Sequence, residues 1–266
     1  MADSGHSTAT LRLTVGSLSI AHPITVPNAA VPATEIVPAL QGLVNAVVDA
    51  AEGGIGAGQA ISCRKGCGAC CRQLVPISRT EGERLLALLD GLPEERRAVL
   101  HERFTRAAAA IEEANLFSSP PIGGEARRGG NAQSSQPPLP TSPPIGGEEK
   151  MKMSDRELSV AYFALGIPCP FLEEESCSIH PDRPLVCREY LVTSPAELCS
   201  GPAQEGVTPV PVPKISLAAR GLQEERDEWF PLALLTRWAK ARPRGGMRRT
   251  GPEWIQRFLR NMSTAR

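Results

Sequence analysis

Four cysteines fall within nine residues, Cys63-Arg64-Lys65-Gly66-Cys67-Gly68-Ala69-Cys70-Cys71, and two of them are adjacent. No other stretch limits the fold so strongly. Cysteine is a soft ligand, and as thiolate it binds zinc, iron or iron–sulfur clusters. Spacing this short lets one turn of backbone aim several sulfurs at one point, and Gly66 and Gly68 supply the φ freedom that such a turn demands. The remaining cysteines, Cys169, Cys177, Cys187 and Cys199, form a second group far down the chain. The expectation is that the two groups meet around metal. Loop-closure cost grows only logarithmically, so the long separation is no obstacle.

The compartment bears on this reading. The N-terminus lacks a basic stretch followed by an apolar core, and no apolar run is long enough to span a bilayer. A cytoplasmic protein without a membrane partner is expected. Cytosolic thiols stay reduced, and clusters of them are more often metal ligands than disulfides. The plain alternative is eight small buried residues. Four in nine residues, two adjacent, argue against it. Lys+Arg and Asp+Glu both total 29, so net charge selects no partner.

The expected fold class is mostly α: a small helical metal-binding domain with irregular cysteine-bearing loops and a minor N-terminal β-hairpin. Residues 1–32 read as that hairpin, from alternation over Leu11 to Val26, plus a connector. Residues 33–117 read as a helical part with the first cysteine cluster. Its helices run from Thr34, as cap, to Glu52, from Ser78 or Thr80 through Leu89, and from Pro93 to Asn115, with Gln73 to Ile77 extended. Residues 118–150 are rich in Pro, Gly and Ser and repeat Ser-Pro-Pro-Ile-Gly-Gly-Glu at Ser119 and Ser142. They read as a disordered insertion. Residues 151–204 open with a helix, Met153 to Leu165, and complete the metal domain. Residues 205–266 read as C-terminal helices, Ala218 to Lys240 and Pro252 to Asn261, with a basic tail. An edge strand is expected over Pro209 to Leu217.

The first cysteine group is C-x3-C-x2-C-C. The second runs Cys169-Pro170-Phe171-Leu172, Cys177-Ser178-Ile179-His180, Arg183-Pro184, Cys187-Arg188 and later Cys199. Together these resemble the YkgJ-type cysteine-cluster proteins, the CxxxCxxCC zinc- or iron-chelating domain, over Ser62 to Cys199. The resemblance implies a small, mostly helical domain that chelates metal through these cysteines, and leaves the metal open. It also implies an alternative, a metal-dependent enzyme related to flagellin lysine N-methylase, which carries a similar cysteine domain.

The candidate metal ligands are Cys63, Cys67, Cys70, Cys71, Cys169, Cys177, Cys187 and Cys199. They suffice for two sites, or for one with spares. Adjacent Cys70 and Cys71 would point apart in extended backbone, and so serve different sites. The cofactor expected is an iron–sulfur cluster, slightly ahead of Zn, with a redox role and a redox partner protein if iron holds. Thiolates around metal carry negative charge that needs compensation, and Arg64, Lys65, Arg72, Arg183 and Arg188 are the cations at hand. Pro168, Pro170, Pro181 and Pro184 stiffen the second group's turns.

Other residues weigh less. His180 reads as a packing or hydrogen-bonding residue rather than a ligand, and Tyr190 as a group that excludes water from the site. Glu173-Glu174-Glu175 reads as a solvated hairpin tip. Arg237 to Arg266 is basic, with Trp238 and Trp254 interleaved. A solvated helix face is preferred there over a nucleic-acid surface, although a zinc-structured interaction module stays open as a third reading.

Overall fold

The computed structural model describes residues 5–15, 18–56, 59–117, 154–201, 206–223, 229–241 and 246–264. The repeated Ser-Pro-Pro-Ile-Gly-Gly-Glu units and the expected insertion at 118–150 lie outside them.

The chain opens with antiparallel strands β1 (His6–Val15) and β2 (Leu18–Pro27), with Leu13 opposite Ile20 and Leu11 opposite His22. The alternation expected over Leu11 to Val26 is present, and the strands run several residues further. Ile20, Ile24 and Val26 point inward. A short strand β3 (Ala30–Pro32) and a 3₁₀ turn lead into α1 (Val37–Gly53). Thr34 does not cap α1. It lies inside the 3₁₀ turn, and Ile36 is the N-cap without a side-chain bond. Pro38, in the first turn, needs no donor there.

After the first cysteines come β4 (Pro76–Ser78), α2 (Arg79–Asp90) and α3 (Glu94–Glu113). Ser78 and Glu81 form a reciprocal capping box at the start of α2. Ser154 and Glu157 form another at α4 (Asp155–Ala164). The second cysteine group occupies the small hairpin β5 (Leu172–Glu173)/β6 (Ser176–Cys177), the short helix α5 (Leu185–Glu189) and a 3₁₀ turn, Ala196–Ser200.

The C-terminal region departs most from expectation. The strand expected over Pro209 to Leu217 is reduced to a single bridge, Val192 with Pro209, and α6 (Ile215–Arg220) begins within it. Prolines at 209, 211 and 213 lack the donors a ladder needs. The single helix expected over Ala218 to Lys240 is not formed. Gly221 caps α6, and Trp229–Pro231 is a strand, β7, antiparallel to β4 with Ile77 opposite Phe230. Helix α7 (Leu235–Ala241) follows a 3₁₀ turn. Pro231 has no N–H to continue a helix, while β4 offers backbone partners. The last elements are β8 (Arg248–Thr250), which pairs with β3, and α8 (Gly251–Thr264).

The described residues are mostly helical, with four separate two-stranded antiparallel pairs. No helix among them is long and apolar enough to cross a membrane. Two large apolar cores form. One joins β2, α1, α6 and α8 around Leu40, Val44, Leu185, Trp254 and Phe258. The other joins α2, α3, β7 and α7 around Ile77, Leu86, Phe104, Phe171, Phe230 and Trp238. In the second core the Phe230 and Trp238 rings stack 4.3 Å apart. Cys63 packs on the first core, and Cys169 and Cys177 on the second, so the cysteines lie along the seam.

The two interleaved tryptophans of the basic C-terminus are core residues. Trp254 is fully buried and donates to the Val31 carbonyl at 2.9 Å, and Trp238 is 7% exposed. Neither ring is free to stack on a base.

Candidate metal centre

The Cys63–Cys71 stretch folds as two consecutive tight turns. Cys67 N–H donates to the Arg64 carbonyl (3.1 Å) around Gly66, whose φ of +90° favours glycine. Cys71 N–H then donates to Gly68 (2.9 Å), and Ala69–Arg72 forms a 3₁₀ turn. Gly68 has an ordinary negative φ; what it supplies is space. A Cβ there would lie 2.5 Å from the Glu175 carbonyl oxygen. The turn also changes the expectation for Cys70 and Cys71. They do not diverge as in extended backbone: both face one cavity, and the Cys70 thiol hydrogen-bonds to Cys71.

The second group closes around this turn. Cys169 N–H donates to the Cys71 carbonyl at 2.7 Å, which joins the two groups directly through backbone. Glu174 and Glu175 take φ of 47° and 56° in the tip of the β5/β6 hairpin and bring Cys177 alongside. Gln73 Nε2 reaches the Cys199 carbonyl (3.0 Å) and the Gly201 carbonyl (3.3 Å). Ser62 N–H donates to the Val192 carbonyl at 2.9 Å.

Six thiols line one cavity of about 130 Å³: Cys67, Cys70, Cys71, Cys169, Cys177 and Cys187. Leu74, Val75, Phe171, Ile179, Val186 and Leu232 wall it, with Gln73, His180, Arg183 and Tyr190 as the polar neighbours. Cys169 and Cys187 are deep in the protein yet keep some accessible surface, as residues that wall a void do. Cys63 and Cys199 lie off the cavity beside Tyr190. Cys63 Sγ is 3.9 Å from the Tyr190 carbonyl, and Cys199 adjoins its hydroxyl. All eight cysteines are free thiols. Among the described residues, no three His, Cys, Asp or Glu side chains are gathered tightly enough to hold a single ion as they stand.

Cys70 is the electrostatic hub, coupled to Cys63, Cys71, Cys169, Cys177, Cys187 and Cys199. Its hydrogen bond to Cys71, and then burial, push its pKa up strongly. Burial is the main cause elsewhere: Cys169 is pushed up to about 12, Cys187 is raised well above the usual thiol range, and Cys63, Cys177 and Cys199 are raised. Without metal these thiols are protonated at neutral pH. Arg183 opposes the trend and favours the thiolates of Cys63, Cys70, Cys177 and Cys187.

The expected cations divide into distinct roles. Arg183 lines the cavity. The buried Arg188 is engaged with the scaffold: it donates to the Arg183 carbonyl (3.1 Å), Asn45 Oδ1 (3.0 Å) and the Pro181 carbonyl. Arg72 makes a two-bond ion pair with Glu175 (2.9 and 2.6 Å) on the outside. Arg64 lines an open groove on the other side of Cys67. The acidic tip is likewise more than a solvated turn, because Glu173 also pairs with Arg103 (2.8 Å) and Arg96. His180 borders the cavity, and burial followed by the Arg183 charge lowers its pKa and keeps the ring neutral. Gln73, Asn45 and Glu81 position the site without having stood out in the sequence; the only local signal was the Ser78–Glu81 capping-box spacing.

Comparisons with protein-family models, with curated proteins and with solved structures return no match, so the family resemblance rests on the cysteine pattern of this sequence alone.

Proposed function

We propose that this chain is a metal-chelating cysteine-cluster protein that holds an iron–sulfur cluster in the thiol cavity, with ligands from both cysteine groups. One observation carries the reading: six thiols from two sequence-distant groups line a single cavity. A zinc ion asks for four donors converging on one point, Zn–S about 2.3 Å, which places the sulfurs within about 4 Å of one another. Here six thiols line one cavity, more than the four donors a zinc ion takes. That arrangement suits a polyatomic core whose irons are bonded from outside by four thiolates. The donor set fits: soft sulfur, in excess of four, with one arginine beside it.

Bound in this way, a cluster supplies one-electron redox chemistry. The chain's own residues do the rest. The apolar wall excludes water, and Arg183 offsets negative charge. The thiols must lose protons to ligate, so loading releases protons and strengthens as pH rises. The buried tryptophans favour this reading over a polyanion-binding module.

The test is anaerobic reconstitution followed by absorption and electron paramagnetic resonance of the reduced protein. Cys70→Ser, at the hub, should abolish the sulfur-to-iron absorption, and Cys63→Ser, off the cavity, should retain most of it. A Cys70→Ser protein that assembles a cluster like the wild type overturns the assignment.

A further inference from the structure

One hydrogen-bond donor at the thiol cavity has no partner, and a second meets only a thiol. Arg183 Nε is buried and unsatisfied, the buried Tyr190 hydroxyl faces the Cys199 sulfur alone, and both residues line the cavity. Buried donors without acceptors are costly and uncommon, so each calls for a reason. Two other arginines with an unbonded buried Nε sit elsewhere. Arg249 lies over the Trp254 ring (5.7 Å), and Arg84 is paired with Asp182 (3.8 Å). Neither lines the thiol cavity.

Arg183 is also held in place. Its carbonyl accepts from Gln41 Nε2 (3.3 Å) and Arg188 Nε (3.1 Å), and Pro184 follows it. Its guanidinium makes no ion pair among the described residues. The contrast with Arg188 is direct: five residues apart, one arginine is consumed by carbonyls and Asn45, and the other keeps an unused donor beside six thiols. Tyr190 completes the pair from the side of Cys199 and Cys63.

We infer that Arg183 and Tyr190 donate hydrogen bonds to the sulfur atoms of the bound cluster and thereby set its reduction potential. The inference rests on the iron–sulfur reading above. Sulfur in a reduced cluster carries more negative charge and is the better acceptor, so donors and a nearby positive charge favour the reduced form. Both are positioning residues; neither is a ligand.

The experiment uses the full chain, reconstituted anaerobically with iron and sulfide, and measures the midpoint potential together with iron and sulfide content. Arg183→Gln should move the potential to more negative values by the largest amount, and Tyr190→Phe should move it the same way by less. Arg183→Lys, which keeps the charge, should fall nearer the wild type. If Arg183→Gln loses the cluster while Arg183→Lys retains it, the charge requirement is upheld, and Tyr190→Phe, which preserves the ring, reads the hydrogen bond alone. Loaded Arg183→Gln and Tyr190→Phe proteins with wild-type potential overturn the inference and leave the cluster reading intact. A wild-type protein that takes up no iron and sulfide overturns the cluster reading itself.

Discussion

Cys187 rides on a five-residue helix fastened at both ends by buried carboxylates, whereas the Cys63–Cys71 turn is tied down largely through contacts near the surface. At the start of α5, Glu81 Oε1 accepts from Leu185 N–H (2.8 Å) while Oε2 accepts from the Ser78 hydroxyl (2.8 Å). At its end, Glu189 accepts from Ser216 N–H (2.7 Å) and hydroxyl (2.6 Å). Arg188 clamps the loop between onto α1 through Asn45. The first turn has an exposed ion pair, Arg72 with Glu175, a long bond from the Ser200 hydroxyl to the Ala69 carbonyl (3.3 Å), and one short inner tie, Cys169 N–H to the Cys71 carbonyl (2.7 Å). On the proposed cluster reading the difference implies an order of assembly: the second group would be the preformed wall, and the first turn the part that metal fixes. In metal-free protein the Cys71 amide should exchange with solvent faster than the Arg188 amide, and metal should slow the first far more than the second. Equal protection in both states would remove the distinction.

The largest effect should come from breaking the wall. Arg188→Ala strands the Pro181 carbonyl and the Asn45 side chain and leaves the Arg183 carbonyl only its bond from Gln41, at a cost of about 3 kcal/mol. Denaturant unfolding of the metal-free protein measures this. Gly68→Ala comes next. Its Cβ would overlap the Glu175 carbonyl, Leu172 and the hairpin backbone, for about 2 kcal/mol. It should also lower metal uptake, since it pushes Cys67 and Cys70 away from Cys177.

The wall should also be pH-sensitive. Burial raises the Glu189 pKa from 4.5 to about 7, and raises Glu81 in the same sense. The folded state therefore binds these protons more tightly than the unfolded chain. Their stabilising contribution is complete below the unfolded value near 4.5 and is lost as pH rises through about 7. Metal-free protein should lose stability over that window, by up to about 3 kcal/mol from Glu189. Glu189→Gln should flatten the slope, as unfolding midpoints at several pH values would show. The smallest effect belongs to the outer tie. Arg72→Ala removes an exposed pair and should cost under about 1 kcal/mol.

Much of the helical framework was legible in local sequence. The Ser78 and Ser154 capping boxes, the stripe of Leu40, Leu43, Val44 and Val47, and the alternation in β2 each fix their own element. What escaped depends on partners far away in the chain. The Trp229–Pro231 segment is a strand because β4 lies beside it, and no periodicity within the segment records β4. Leu222, Phe230, Leu234 and Trp238 are buried as a helical stripe would suggest, but along a broken path. At the site, the cysteine spacing signalled that sulfurs cluster. The fate of Cys70 and Cys71 turned on a 3₁₀ turn instead of extended backbone. The division of labour between Arg183 and Arg188 turned on which of them meets Asn45 and the Pro181 carbonyl.

The most direct test of a shared inorganic centre is the iron and acid-labile sulfide content of protein prepared without oxygen. Both are expected, in near-equal amounts, with most of the eight thiols shielded from alkylation until the cluster is removed. Protein free of iron and sulfide, or carrying stoichiometric zinc in their place, would contradict it.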